Sequence, residues 1–374
     1  MQKLDLVREN LYLGDICAAA EILKNGSSEI SHVLTVLHRP SISVFEEWRN
    51  VKLESKEIKE VYVGGGDGDG QDSLQGKEFA TESALPSGKL LYSLERTGKD
   101  LEFTRMVVFA YDEECENLLD FFDLCLDFID AGRKEKGVLV HCFAGQSRSA
   151  SMVIAYLMRM EMLSGKEALA SLRQCAQASP NPGFLKQLDL FERMNFKVDR
   201  SSPIYKHFRL KALGYLYSKD KKFDRLKLRA DPEIMSNESS GSTYHCKKCK
   251  RILLFQEQVI DHTPGEADSE FDDMFKNMIG EVRNKNPGDP NQCTSIFVEP
   301  IVWMNTVEDF VSEGKLLCPK CSAKVGSFDW SGSYCSCGSK IIPAFQLQMS
   351  RVDVITVKDG VKKKKNNKHD KRRV

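Results

Sequence analysis

The nine residues His141-Cys142-Phe143-Ala144-Gly145-Gln146-Ser147-Arg148-Ser149 combine a thiol, a glycine and an arginine at a spacing that suits phosphate-ester chemistry. They follow the apolar run Val138-Leu139-Val140, with Gly137 before it, and precede a helical pattern from Ala150. The reading is a short buried strand, a turn and a helix. A cysteine at such a turn faces the helix N-terminus and several free backbone N–H groups, which favours thiolate over thiol. The Cys-x5-Arg spacing brings Arg148 back over the loop, where its planar fork can hold two oxygens of a phosphate. Gly145 allows close backbone approach. The N–H groups of Phe143, Ala144, Gly145, Gln146 and Ser147 are the candidate phosphate-binding donors. A nucleophile, an anion cradle and a cationic clamp in one loop are what cleavage of a phosphate monoester needs. A buried structural cysteine beside a surface arginine is the plain alternative.

Ser149 is placed to hydrogen-bond the Cys142 sulfur and help it leave, and as a helix N-terminal serine it can also act as a cap. His141 is expected to orient the loop through a hydrogen bond and raise the thiolate content. The departing oxygen needs a proton, which a carboxylic acid on a nearby loop can supply. Arg105 to Ala110 reads as a strand, and Asp112, Glu113 and Glu114 follow it as candidate acids. Asn117 to Ala131 has helical apolar spacing, so Asp120, Asp123, Asp127 and Asp130 read as its solvent face. No loop side chain other than Arg148 is basic, which weighs against a polyanionic substrate; an RNA or lipid phosphatase is the weaker reading.

Other elements must position this loop. Leu11-Tyr12-Leu13-Gly14 reads as a strand ending in a glycine turn, Ala18 to Leu23 as a helix, and His32 to Leu37 as a buried strand. His32 and His38 have ordinary polar roles. From Gly64 to about Asp100 the glycine-rich chain reads as a flexible, mildly acidic loop insertion. Its Asp67, Asp69 and Asp72 lack the ligand spacing of a calcium loop. After the catalytic loop come a buried helix to Met162, a capping box at Ser164–Glu167 opening a helix through Leu172, a break at Pro180–Phe184, and a helix over Leu185–Met194. Ser201 to Tyr217 forms one more helix, and Ser218 to Thr243 is a linker.

The 374 residues suggest two domains. Charge balances to zero overall, with 54 basic and 54 acidic residues. No apolar run reaches the ~20 residues of a membrane span, and no secretory h-region is seen. We therefore expect a reducing, cytoplasmic and nuclear location with no membrane partner. Seven of the twelve cysteines fall between Cys246 and Cys337. In a reduced chain such pairs are metal ligands rather than disulfides. Cys246-x2-Cys249 and Cys318-x2-Cys321 supply four thiolates to a tetrahedral structural Zn²⁺. Cys335 and Cys337, with His262 and Cys293, make a second set; the alternative is one zinc, with Cys293 in the core and His262 exposed. His245 is the poorer ligand candidate. The segment from Glu266 to Asp289 reads as a mobile acidic loop. The tail from Lys358 holds nine Lys/Arg against two Asp, which suits a nuclear-import signal, an RNA contact or a solubilising extension.

The His-Cys-x2-Gly-x-Ser-Arg-Ser signature resembles that of the cysteine-dependent protein phosphatases, in particular the dual-specificity branch. The Leu11–Gly14 entry and Asn181-x-Gly183-Phe184 with Gln187-Leu188 are similar too. The resemblance covers about residues 5–198, apart from the insertion. The cysteine pairs, Glu299-Pro300-Ile301-Val302-Trp303-Met304 and Pro343-Ala344-Phe345 resemble the zinc-binding half of the Yvh-type family of dual-specificity phosphatases. The resemblance implies an α/β phosphatase domain, a central sheet flanked by helices, over 1–198. Helix and linker then occupy 199–243, a small β-rich zinc domain 244–357 and a basic tail 358–374. It also implies hydrolysis of phosphotyrosine and phosphoserine/threonine through a phosphocysteine. Among the acids it favours Asp112, about thirty residues before the cysteine, and it makes Asn181 a brace for the catalytic loop. It implies phosphorylated protein substrates. Pre-ribosomal particles or RNA are implied as partners of the zinc domain, in assembly of the large ribosomal subunit that does not need catalysis.

Overall fold

The computed structural model describes residues 3–38, 55–63, 90–221, 228–233, 241–264 and 293–356. The aspartates at 67, 69 and 72, the acidic segment 266–289 and the tail from 358 lie outside the described residues.

Seven strands form the first sheet: β1 (Leu4–Arg8), β2 (Leu11–Gly14), β3 (His32–Val36), β4 (Ser55–Val63), β5 (Leu90–Thr97), β6 (Phe103–Val108) and β7 (Val138–His141). Their order is β1-β2-β7-β3-β6-β5-β4. The four inner strands β2, β7, β3 and β6 are parallel, and the flanking strands are antiparallel. Parallel strands covered on both faces read as unbroken apolar runs, and β7 is buried throughout. Its alternation sorts side chains between two cores. Val138 and Val140 join the large core under α2 (Phe122–Glu135), α3 (Arg148–Glu161), α4 (Gly165–Leu172) and α5 (Pro182–Arg193). Leu139 and Cys142 join the smaller core under α1 (Ile16–Asn25). The strand thus ends at Cys142 with helices on either side of the sheet.

Three expectations change. The loop insertion expected over 64–100 gives way to structure before its end: β5 pairs along β6, and only 64–89 lie outside the described residues. The helix expected from Leu185 starts at Pro182, which occupies the first turn where its missing N–H does no harm, behind the cap Asn181. Asp120 and Asp123, expected on a solvent face, are half-buried and accept hydrogen bonds from Tyr205 and Arg159.

The next helix, α6 (Pro203–Asp220), belongs to two cores at once. Tyr205, Phe208 and Ala212 pack with the sheet–helix core, and Leu210, Leu213 and Tyr217 pack with the C-terminal core. The expected linker is also partly built in. Arg229 reaches Glu299 at 2.7 Å and bridges to Ile301. Beyond it lie β8 (Ser242–Cys246), β9 (Ile252–Phe255), β10 (Val259–Ile260), β11 (Ser295–Val298), β12 (Glu313–Leu317), β13 (Lys324–Asp329), β14 (Ser333–Tyr334), β15 (Lys340–Ile341), β16 (Ala344–Gln348) and β17 (Val352–Thr356). They pair as a five-stranded sheet β10-β11-β16-β13-β12, a three-stranded sheet β17-β8-β9 and the hairpin β14-β15. The C-terminal part is β-rich, as expected. Among the described residues no helix is long and apolar enough to cross a membrane.

Candidate active site and metal centres

The loop from β7 to α3 is held from several sides. Gly145 sits at φ +69°, and a Cβ there would lie 2.6 Å from the Gly14 carbonyl. The two glycines singled out in separate motifs therefore touch through backbone. Ile16 N–H donates to the Phe143 carbonyl and Ser179 N–H to that of Gln146. Ser147 precedes α3 but makes no side-chain cap. Its hydroxyl donates instead to Asp112 Oδ1 at 2.6 Å. The amides of the first turn are thus left without a side-chain acceptor, a ready site for an anion.

Cys142 is buried, and Ser149 Oγ donates to its Sγ at 3.1 Å. Arg148 is also buried. Its Nη1 donates to the Ala110 carbonyl at 3.1 Å, and its Nε lies 3.6 Å from Asp112 Oδ2. Among the described residues Nε has no hydrogen-bond partner, and a buried cationic donor in that state calls for an anionic acceptor. Phe143 and Ala144 are exposed, with Gln146 half-buried.

Asp112 is the acid that the structure brings to the loop. Its Oδ1 also accepts from Asn181 Nδ2 at 3.0 Å. Glu113 instead pairs with Lys219 on α6 at 2.9 Å. Asn181 works in both directions: its N–H reaches Ser147 Oγ, and its Oδ1 caps α5 through Phe184 N–H. Gly183 is required here, because a Cβ would stand 1.9 Å from the Glu114 carbonyl. Gln187 fixes the end of the acid loop by accepting from Leu118 and Leu119 N–H and donating to the Glu116 carbonyl.

His141 is fully buried, and burial, with Arg105 beside it, pushes it down to about 3. It is a neutral imidazole, so it acts on the loop as an orienting group rather than as a cation beside the thiol. Its Nε2 meets Thr35 Oγ1 at 2.7 Å and its Nδ1 meets the Cys142 carbonyl at 3.2 Å. Thr35 and Arg105 were not visible as site residues in the sequence; a threonine and an arginine inside otherwise apolar strands are the signal that marks them. Two other thiols of this half are held as thiols by their surroundings: burial raises Cys115 to about 11 and pushes Cys125 up further.

The family model for the dual specificity phosphatase catalytic domain matches residues 77–194. Dual specificity protein phosphatase 12 of Rattus norvegicus is 37% identical over 278 residues, spanning 74% of this chain and 78% of that protein. The Homo sapiens protein of that name is 39% identical over 256 residues, spanning 68% and 74%. Tyrosine-protein phosphatase yvh1 of Schizosaccharomyces pombe is 32% identical over 252 residues, spanning 65% and 69%. The chain belongs to the Yvh-type dual-specificity phosphatases. It is a dual-specificity protein phosphatase, and that chemistry needs no cofactor.

In this Yvh-type phosphatase two further clusters have the chemistry of metal sites. Cys246, Cys249, Cys318 and Cys321 form one, and His262, Cys293, Cys335 and Cys337 the other, each with all ligand atoms within 4.8 Å of one another. These are the same two quartets that the spacing suggested. In the first, sulfurs lie 3.7 Å apart for Cys246–Cys321 and 3.5 Å for Cys249–Cys318. In the second, Cys293–Cys335 is 3.4 Å and His262 Nε2 to Cys293 Sγ is 3.1 Å. A tetrahedron of thiolates about 2.3 Å from a zinc ion has edges of about 3.8 Å, whereas a disulfide needs about 2.05 Å. The spacing fits a metal and not a disulfide. His245 faces elsewhere, toward Thr243 and the Lys250 carbonyl.

Proposed function

We propose that this phosphatase hydrolyses phosphotyrosine and phosphoserine/threonine of proteins in two steps at Cys142. Sγ forms a bond to phosphorus as the P–O bond to the leaving group breaks. Asp112, as the acid, gives its proton to that oxygen. Asp112 then takes a proton from water, whose oxygen attacks phosphorus. The S–P bond breaks, and the electron pair returns to a sulfur that the Ser149 hydroxyl stabilises. Arg148 and the amides of Phe143–Ser147 hold the equatorial oxygens throughout. The observation that carries this reading is the convergence of Asp112, Arg148 and Ser149 on one loop around Cys142. The test is hydrolysis of a small aryl phosphate by the full chain beside Cys142→Ser, with acid quench and mass spectrometry for phosphocysteine. Turnover surviving in Cys142→Ser overturns the mechanism.

We further infer a phosphatase domain over 1–198 and a metal domain over 244–357 joined through α6, with one structural Zn²⁺ in each quartet. Four protein ligands leave no open position for catalysis, so the metal domain is read as a partner-binding module. With the basic tail it fits a pre-ribosomal particle or RNA, in large-subunit assembly that does not need Cys142. Salt-sensitive co-sedimentation of the full Cys142→Ser chain with pre-ribosomal particles is expected; failure to co-sediment at low salt removes this role. A nuclear as well as cytoplasmic location follows from the tail, and a tail-deleted chain with unchanged nuclear entry refutes it.

A further inference from the structure

A fully buried arginine in a sheet is costly unless every donor is used. Arg105, on β6, is completely buried. Its cross-strand neighbour on β5 is Glu95, and Nη1 meets Glu95 Oε1 at 2.7 Å. Its Nε donates to Thr35 Oγ1 at 2.9 Å. Thr35 lies on β3 and pairs in register with His141 on β7. The sheet thus lines up Glu95, Arg105, Thr35, His141 and the Cys142 carbonyl across four strands, beneath the phosphate loop.

The direction of each hydrogen bond in this row is fixed. A guanidinium can only donate, so Thr35 Oγ1 accepts from Arg105. At the other end, the Cys142 carbonyl can only accept, so His141 Nδ1 must carry the ring proton. A neutral ring then leaves Nε2 bare, and the hydrogen of Thr35 is the donor within 2.7 Å. The Arg105 donation uses one of the two lone pairs of Thr35 Oγ1 and leaves the hydroxyl hydrogen for Nε2. We propose that Arg105, through Thr35, is a positioning residue for the phosphatase reaction: by orienting the Thr35 hydroxyl toward Nε2 it favours the Nδ1–H tautomer of His141 and so holds the Cys142 carbonyl on the imidazole, away from the phosphate. A carbonyl turned into the loop would repel the phosphate oxygens that the amides are to bind. Glu95 keeps the guanidinium in place and balances its charge. The charged groups facing the imidazole are Arg105 and Arg148, both cations, and they oppose its protonation.

The test reads the tautomer directly. Long-range ¹H–¹⁵N correlation spectra of the full chain, with His141 assigned by difference from His141→Asn, are expected to show the Nδ1–H form at pH 7. An Nε2–H ring or an imidazolium there overturns the proposal without any variant. Thr35→Val keeps shape and removes the hydroxyl. It is expected to shift the His141 nitrogens and to lower kcat on an aryl phosphate about tenfold or more through loop misplacement, with KM changed less. Arg105→Lys, which can still donate to Thr35, is expected to retain more kcat than Arg105→Met. A folded Thr35→Val with wild-type kcat, or one that loses kcat with His141 shifts unmoved, overturns the proposal. The inference takes Cys142 as the nucleophile. If Cys142→Ser keeps its activity that reading fails, while the His141 spectrum stands or falls separately.

Discussion

Replacing Asp112 by asparagine separates proton transfer from positioning. The carboxylate accepts two hydrogen bonds at Oδ1, from Ser147 at 2.6 Å and Asn181 at 3.0 Å. An asparagine amide oxygen at that place accepts both, so the acid loop stays docked. What disappears is the ionisable oxygen Oδ2, 3.6 Å from Arg148 Nε. General acid catalysis contributes about 10² to 10⁴ in rate, or roughly 3 to 5 kcal/mol of barrier. A full effect of that size is expected for phosphoserine and unactivated alkyl esters, whose alkoxides cannot leave unprotonated. For an activated aryl phosphate, whose leaving group needs little protonation, a loss below about tenfold is expected. KM should not rise, because a negative charge near the phosphate has been removed. Asp112→Ala also gives up both hydrogen bonds, each worth about 1 kcal/mol, so it should melt earlier than Asp112→Asn. The assay is kcat over a series of leaving groups with melting curves in parallel. An equal loss across the series would show that Asp112 positions the loop and does not donate the proton.

Gly183→Ala should lower both activity and melting temperature, since its Cβ would meet the Glu114 carbonyl at 1.9 Å and push the acid loop off α5; wild-type kcat, leaving-group dependence and melting temperature in this variant would contradict that. His141 gives a pH signature. Its folded value of about 3 lies below the ordinary ~6.5, so the unfolded chain takes up a proton that the folded chain refuses. Stability is therefore unaffected above about pH 6.5 and falls as pH drops, by roughly 1.4 kcal/mol per unit, until about pH 3. Urea midpoints between pH 4.5 and 6.5 should slope more steeply for wild type than for His141→Asn, and parallel slopes would refute it. Treatment with a strong chelator at neutral pH should release about two zinc ions per chain and abolish the near-ultraviolet signal of Trp303 and Trp330, which are buried in the same core as Cys246, Cys318, Cys335 and Cys337; retention of that signal in metal-free protein would count against a structural metal.

The catalytic loop was legible because its parts are contiguous: thiol, glycine, arginine and serine lie within one turn of chain, and backbone geometry alone nearly fixes their relation. The metal quartets were legible for a similar reason, as short cysteine pairs whose chemistry leaves few partners. Leu90–Thr97 was not. Its alternation is spoiled by Glu95, a charge on the buried side, and the partner that makes that burial tolerable, Arg105, stands on another strand. Asp120 and Asp123 looked solvated for the same reason, since Tyr205 and Arg159 lie 85 and 36 residues away. Thr35 reaches His141 across 106 residues, a meeting set by sheet order and register rather than by local pattern.

Because α6 belongs to two cores, the chain has no clean place to be cut. A fragment ending at 198 strips Tyr205 and Phe208 from the sheet–helix core and leaves Asp120 without its phenol. One beginning at 244 loses Tyr217, whose ring stacks on Trp330 at 4.0 Å, together with the Arg209–Glu299 pair. Either half therefore carries a raw apolar surface unless residues 203–220 travel with it. The same helix makes the halves lend each other stability. Whatever melts the sheets that carry the cysteine clusters uncovers one side of α6 and loosens its grip on the other, and Lys219 on its last turn holds Glu113, the neighbour of Asp112. Disruption of the cysteine clusters should thus be felt as a softer acid loop.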